Sequence, residues 1–307
     1  MRAITFSRYG GPDVLELTDL PTPKVGPDSV LVRVHATSVN PVDWKVREGY
    51  LDQIMETVFP AVPGWDVAGV VEQVGLDTPE LAVGDEVYGY VRTDLVHGGT
   101  TAELVAAPVR TLARKPTTVS FEEAAALPLA GLTAYQALAR LEVGTGDTVL
   151  IHNAAGGVGG FAVQIARALG ARVIGTASPA RHEYVRSLGA EPVPYGDPMV
   201  AAVRELAPQG VDVVLDLVGG GVVRSTPEVG TAEVRVASIA DPEVAELGGV
   251  NMWVRPDSAD LAALASLVDQ GKVRVEIAQT FPLEETAAAH ALSAEGHVQG
   301  KVVIRVS

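Results

Sequence analysis

VLIHNAAGGVGGFAVQIARALGARVIGTASPAR, residues 149–181, reads as a strand, a glycine-rich turn, a helix and a second strand in succession. Residues 149–151 are a short apolar run of the kind that forms a strand covered on both faces. From 158 the spacing turns helical, with Val158, Ala162, Ile165 and Leu169 on one face. Gly156 and Gly159 fall at the changeover, in the second and third places of a G-x-G-x-x-G fingerprint. There the backbone must approach a pyrophosphate and the helix must pack closely on the strand. Ala154 stands in the first place, a departure from the pattern. The strand and helix that the motif requires flank it nonetheless. The main-chain amides of Ala155, Gly156, Gly157, Val158 and Gly159, at the positive end of the helix dipole, are candidate phosphate donors.

Outward from this unit, strands and helices alternate. A helix is expected to about 188, a strand near 193, a helix at 199–206 and strands at 211–217, 234–239 and 250–254. That alternation predicts a Rossmann-type, doubly wound parallel sheet. Residues 257–271 form an amphipathic helix with Leu261, Leu264 and Val268 on one face. The N-terminal third is different. Short β-type runs at 3–6, 14–17, 30–39, 67–74 and 86–90, punctuated by Gly and Pro, predict a mostly antiparallel β-domain. A short helix is expected after Asn40, with Pro41 just inside its start. The stretch 121–141 is helical, broken at Pro128 and Gly131.

Composition narrows the functions. The 307 residues suit two domains, and 47% apolar with 20% charged residues is an ordinary globular balance. A net charge of −15 argues against nucleic acid or an anionic membrane surface as partner. No run of about eighteen apolar residues could span a bilayer. The polar start 1–12 has no apolar signal core, so a cytoplasmic protein is expected. Without cysteine there is no disulfide, thiolate metal site or thiol nucleophile. His35, His97, His152, His182, His290 and His297 are scattered without a paired ligand spacing and read as surface or hydrogen-bonded structural histidines.

Five segments carry a family resemblance: VNPVDWKVREG (39–49), FPAVPGWDVAGVVEQVG (59–75), GDEVYGY (84–90), AALPLAGLTAYQAL (125–138) and GHVQGKVV (296–303). In this order they resemble the zinc-independent quinone oxidoreductases and enone reductases of the medium-chain dehydrogenase/reductase superfamily, along essentially the whole chain. The resemblance implies an α/β architecture: a GroES-like β-domain made of 1–120 and 255–307, and a Rossmann domain at 121–254. It also implies a homodimer, in which strand 250–254 at the sheet edge pairs with its twofold copy. Where zinc-dependent relatives hold their catalytic metal, the matching places are Asn40, Trp65-Asp66 and Leu129, a set that cannot close a tetrahedral nitrogen and sulfur site. No metal is therefore expected.

Without a Lewis acid, oxidation of an unactivated alcohol is hard, whereas a quinone or α,β-unsaturated carbonyl already has an electrophilic carbon that can accept hydride. The protein must then orient the reactants and donate hydrogen bonds to the developing oxyanion. Lys45 is the candidate donor, or else an exposed lysine on a short helix. Asn40 and Asp43 are expected to line the same cleft, contacting cofactor or holding Lys45, or to cap the helix start. Thr133 is placed near the nicotinamide by resemblance. Val218 and Gly219, following a parallel strand, lie where ligands bind in such sheets. The cleft is expected between the domains, with Asn40 and Lys45 facing Gly156, Thr133, Val218 and Gly219. Tyr50, Trp65 and Trp253 are aromatics that either wall a planar-substrate pocket or pack the core.

Cofactor choice turns on the residue about twenty positions past the glycines, an Asp or Glu in NAD enzymes. Here it is Ser178, which accommodates a 2′-phosphate, and Arg181 can pair with that phosphate. The bland alternative is a Ser178 cap before Pro179, with Arg181 exposed. NADPH is the expected cofactor, and a quinone or enone the expected substrate. The rivals are an enoyl-thioester reductase and a non-enzymatic, crystallin-like NADPH-binding protein.

Overall fold

The structure, a computed structural model, describes every residue except His297. The chain divides into two compact units, one of Met1–Leu132, Arg255–Asp269 and Val275–Ser307, the other of Thr133–Val254 and Gln270–Arg274. The first seam thus falls between Leu132 and Thr133 and not near Ser120. The helix Phe121–Ala125 packs on strands of the first unit and stays with it. The helix Ser258–Asp269 belongs to the first unit as well, with Leu261, Leu264 and Val268 buried.

The second unit is built on a six-stranded parallel sheet. Across the sheet the strands run Glu191–Val193, Arg172–Thr176, Thr148–Ile151, Val211–Asp216, Gly230–Ser238, Val250–Asn251. Relative to their order in sequence this is 3-2-1-4-5-6, so the winding reverses between Thr148–Ile151 and Val211–Asp216. Val149, Leu150, Ile151, Val213, Val214 and Leu215 are wholly buried, as expected of strands covered on both faces. The last strand ends at Asn251, three residues short of the expected 254; Met252 still donates its amide to Ser238, and Trp253 is 45% exposed.

The first unit centres on a seven-stranded sheet in which Ser29–Val39 pairs with Asp66–Val74, Leu104–Pro108 and Lys301–Arg305, all antiparallel. The register Val302↔Val39 brings Lys301 beside Asn40 from the far end of the chain. The helix Pro41–Arg47 follows directly, with Pro41 in its first turn. In the helical stretch, Pro128 opens the helix Pro128–Arg140, but Gly131 does not break it. A Cβ at Gly131 would lie 2.9 Å from Leu127 Cδ1 and 3.3 Å from Leu264 Cδ1, so this glycine permits close helix packing. Among the described residues no helix is long and apolar enough to cross a membrane.

Candidate functional site

The glycine turn shows why Ala154 can stand where the fingerprint has glycine. The left-handed position is taken one residue earlier, by Asn153 at φ 59°, and asparagine tolerates that conformation better than most side chains. Thr176 secures it from the neighbouring strand: its Oγ1 accepts from the Asn153 amide at 3.0 Å and its carbonyl from the Ala154 amide at 3.0 Å. Ala154 is buried, and a Cβ added at Gly175 would come within 2.5 Å of its methyl. Gly159 has no such freedom, because a Cβ there would lie 2.0 Å from the Asn153 carbonyl oxygen. Gly156 caps the helix Gly157–Ala168, whose first-turn amides have no intrahelical acceptor. Close backbone approach with outward-facing amides at a positive dipole end fits a pyrophosphate.

At the end of the next strand Ser178 is extended, and its carbonyl accepts from the Arg181 amide at 2.8 Å. Pro179 opens the short 3-10 turn Pro179–Arg181 as expected of a first-turn proline, but the Ser178 hydroxyl makes no capping bond. Arg181 is half-buried rather than exposed. Val218 is 56% exposed, while the Val218 and Gly219 amides donate to the Asp216 carboxylate. Their donors are used within the protein, and the exposed part of this loop is the Val218 side chain. Thr133 is buried.

In the first unit Asn40 and Asp43 do not line an open wall; they are 1% and 3% exposed. Asp43 does not hold Lys45 but accepts from the Asn40 amide at 2.7 Å, securing the helix start. The Asn40 side chain bridges two charges. Its Nδ2 donates to Asp66 at 2.8 Å and its Oδ1 accepts from the Lys301 ammonium. Asp66 also accepts from Ser38 Oγ at 2.6 Å and from the Leu129 amide at 2.8 Å. Asn40, Asp66 and Leu129, which with Trp65 the resemblance sets at the places of the superfamily's metal ligands, therefore meet around one carboxylate. Burial pushes the Asp43 carboxyl up to about 7, and also raises Asp66 and lowers Lys301. Lys45 is exposed, its Nζ 5.5 Å from the Trp44 ring centroid.

Lys301 lay within a quoted motif, yet sequence reasoning gave it no role. A lysine directly before the apolar run 302–304 was the available signal. The donors in this cluster do not fit zinc: the Asn40 amide oxygen is spent on the Lys301 ammonium, the Asp66 carboxylate on Asn40, Ser38 and the Leu129 amide, and the internal cation would repel a dication. Among the described residues no group of three or more His, Asp or Glu side chains could hold a metal ion.

Of the aromatics, Trp65 packs edge-on against Tyr90 in the interior, whereas Tyr50 is 69% exposed and meets Trp44 edge-on. The described histidines are structural, with one correction. His152 is buried and its Nε2 has no hydrogen-bond partner; burial holds its pKa down at about 4 against the opposing pull of Asp216. His297 lies outside the described residues.

Comparison with known proteins agrees with this architecture. Residues 26–117 match the alcohol dehydrogenase GroES-like domain, and residues 188–304 match the zinc-binding dehydrogenase family. The chain is 36% identical to the NADPH-dependent alkenal/one oxidoreductase of Arabidopsis thaliana, over 99% of this chain and 79% of that one. The quinone oxidoreductase of Coxiella burnetii superposes with a TM-score of 0.89 at 37% identity, covering 100% of this chain and 99% of that one. The Escherichia coli quinone oxidoreductase complexed with NADPH gives 0.89 at 25% identity, covering both chains fully. This chain belongs to the medium-chain dehydrogenase/reductase superfamily, in its zinc-independent branch of quinone and alkenal/one oxidoreductases.

Proposed function

We propose that the chain is an NADPH-dependent, metal-independent reductase of quinones or α,β-unsaturated carbonyls. One observation carries this reading: a glycine cradle fit for a dinucleotide accompanies a superfamily metal position closed by Asn40, Asp66 and Lys301. With no Lewis acid to activate an alcohol, the substrate must bring its own electrophilic carbon. NADPH supplies a hydride when bound. The chain supplies the rest. Amides of Gly157, Val158 and Gly159 bind the pyrophosphate, and Ser178 and Arg181 the 2′-phosphate. Lys45, exposed with its Nζ over the Trp44 ring, donates to the substrate oxygen as negative charge develops there. Asn40 and Asp43 act by fixing the start of the helix that carries Lys45. A proton from water completes the reduction.

A panel of quinones, short enones and enoyl thioesters, followed through NADPH oxidation, tests the proposal. Turnover of quinones or enones is expected. Preference for enoyl thioesters would move the assignment to the acyl reductases, and tight NADPH binding without turnover would overturn it. We also propose a cytoplasmic homodimer, joined through the edge strand Val250–Asn251 with Trp253 exposed beside it. Light scattering at micromolar concentration should report twice the chain mass; a monomer would refute the pairing. Cell fractionation tests the compartment.

A further inference from the structure

Past the strand Val211–Asp216 the chain runs through three consecutive glycines, Gly219, Gly220 and Gly221, at φ 78°, 67° and 83°. Glycine enters this left-handed region freely, so a run of three has many alternatives to its observed path. Buried groups on both sides select one path. Asp216 Oδ1 accepts from the Val218 amide at 2.8 Å and the Gly219 amide at 3.0 Å. Its Oδ2 accepts from Ser238 Oγ at 2.6 Å. At the other end Asp241 Oδ2 accepts from the Gly221 amide at 2.8 Å, while its Oδ1 accepts from the Glu243 amide at 3.0 Å. Ser238 ties the Asp216 carboxylate to the backbone that carries Asp241. Having donated to Asp216, it accepts from the amides of Asp241 at 2.8 Å and Ala240 at 3.1 Å, which uses the full capacity of a hydroxyl.

Asp216 and Ser238 are 0% exposed and Asp241 6%, yet the residue they hold out, Val218, is 56% exposed. Burying carboxylates among neutral donors is costly, and an apolar side chain would serve a merely packed loop better. Here each carboxylate oxygen acts as an acceptor, so the carboxylates specify the loop's shape. The location says which ligand group that shape meets. A dinucleotide spans the reversal of strand order, with its pyrophosphate at the glycine turn. Ser178 lies on one side of the central strand Thr148–Ile151, which marks the adenosine 2′-phosphate half. Val218 follows the neighbouring strand on the other side.

We propose that Asp216, Ser238 and Asp241 are positioning residues for the nicotinamide half of the cofactor, holding the 217–221 loop so that Val218 backs the nicotinamide ring. The inference rests on the cofactor reading above, and its test separates the two. Asp216→Asn and Ser238→Ala are compared with wild type in three measurements: affinity for 2′-phospho-ADP-ribose, which lacks the nicotinamide; the emission of bound NADPH; and kcat. We expect the fragment's Kd to stay within about twofold, the emission of bound NADPH to move toward that of free NADPH, and kcat to fall about tenfold to a hundredfold, the scale of an ångström-level misplacement. Gly220→Ala, whose added Cβ would meet nothing within 4 Å, perturbs the loop through its backbone alone. It should move emission and kcat in the same direction even if Asp216→Asn fails to fold. Loss of fragment affinity well beyond twofold in the variants, or wild-type emission and kcat in all three variants, would overturn the inference. Failure of the wild-type protein to bind the fragment would overturn the cofactor reading itself.

Discussion

In both units buried carboxylates accept from main-chain amides and one serine hydroxyl, Ser38 on Asp66 and Ser238 on Asp216, but in the first unit Asp43 and Asp66 also share their site with the Lys301 ammonium. The partners differ in origin. Lys301 arrives by strand pairing from the opposite end of the sequence, so the first cluster reports on the whole unit's assembly. The amides around Asp216 and Asp241 come from the loops that these carboxylates shape, so the second cluster governs local geometry. One cluster should therefore be read in stability, the other in ligand placement.

The sharpest way to break this contrast is Lys301→Met. Removing the cation leaves buried carboxylates uncompensated, and unfolding free energy should fall by about 3 kcal/mol in urea titration. A loss below about 1 kcal/mol would mean that the ammonium does little to hold the unit together.

Next comes pH. The Asp43 carboxyl is raised from 3.8 to about 7, so between these values the folded protein retains a proton that the unfolded chain has released. Its contribution is complete below 3.8 and is lost as pH rises through about 7. Lys301 acts in the opposite sense: its lowered pKa gives stability that is complete above 10.5 and lost as pH falls. Asp43→Asn removes the first dependence and keeps the second. The stability of wild type minus that of the variant should decline from pH 4 to 7; a flat difference would place the Asp43 carboxyl near its ordinary value.

Arg181→Ala leaves both clusters intact. It should raise the KM for NADPH about tenfold, the size of one lost charge-assisted contact, with that for NADH nearly unchanged. Equal weakening of both would remove Ser178 and Arg181 from the 2′-phosphate site. Ser238→Ala should cost about 1 kcal/mol of stability, well short of Lys301→Met. Equal losses would erase the distinction between the clusters. The smallest effect is none: chelators should leave activity unchanged, and metal analysis should find no stoichiometric zinc.

What the sequence made legible was local. Gly156 and Gly159 stand within one βαβ unit, where a strand, a turn and a helix follow each other and spacing alone reveals the cradle. Asn153 was hidden because the fingerprint looks for glycine at 154, while the chain turns one residue earlier. Asn40 and Asp43 were visible as a helix start, but their burial was not, since it depends on Lys301 and Asp66 arriving from other strands. The Asp216–Ser238–Asp241 network was equally silent. Its members sit at the ends of two strands that only the parallel sheet makes neighbours. The two seams fared differently: the one near Arg255 coincides with the boundary between the units, whereas the first lies past Ser120 because Phe121–Ala125 looks like the lead-in to the next domain, yet packs on the sheet behind it.

Transfer of deuterium from NADPH labelled at nicotinamide carbon 4 tests the central claim most directly. With an α,β-unsaturated carbonyl and zinc-free buffer, the label should appear on the β-carbon of the saturated product, with the α-carbon taking its hydrogen from water. NADPH binding without label transfer, or transfer that appears only after zinc is added, would contradict a metal-independent hydride-transferring enzyme.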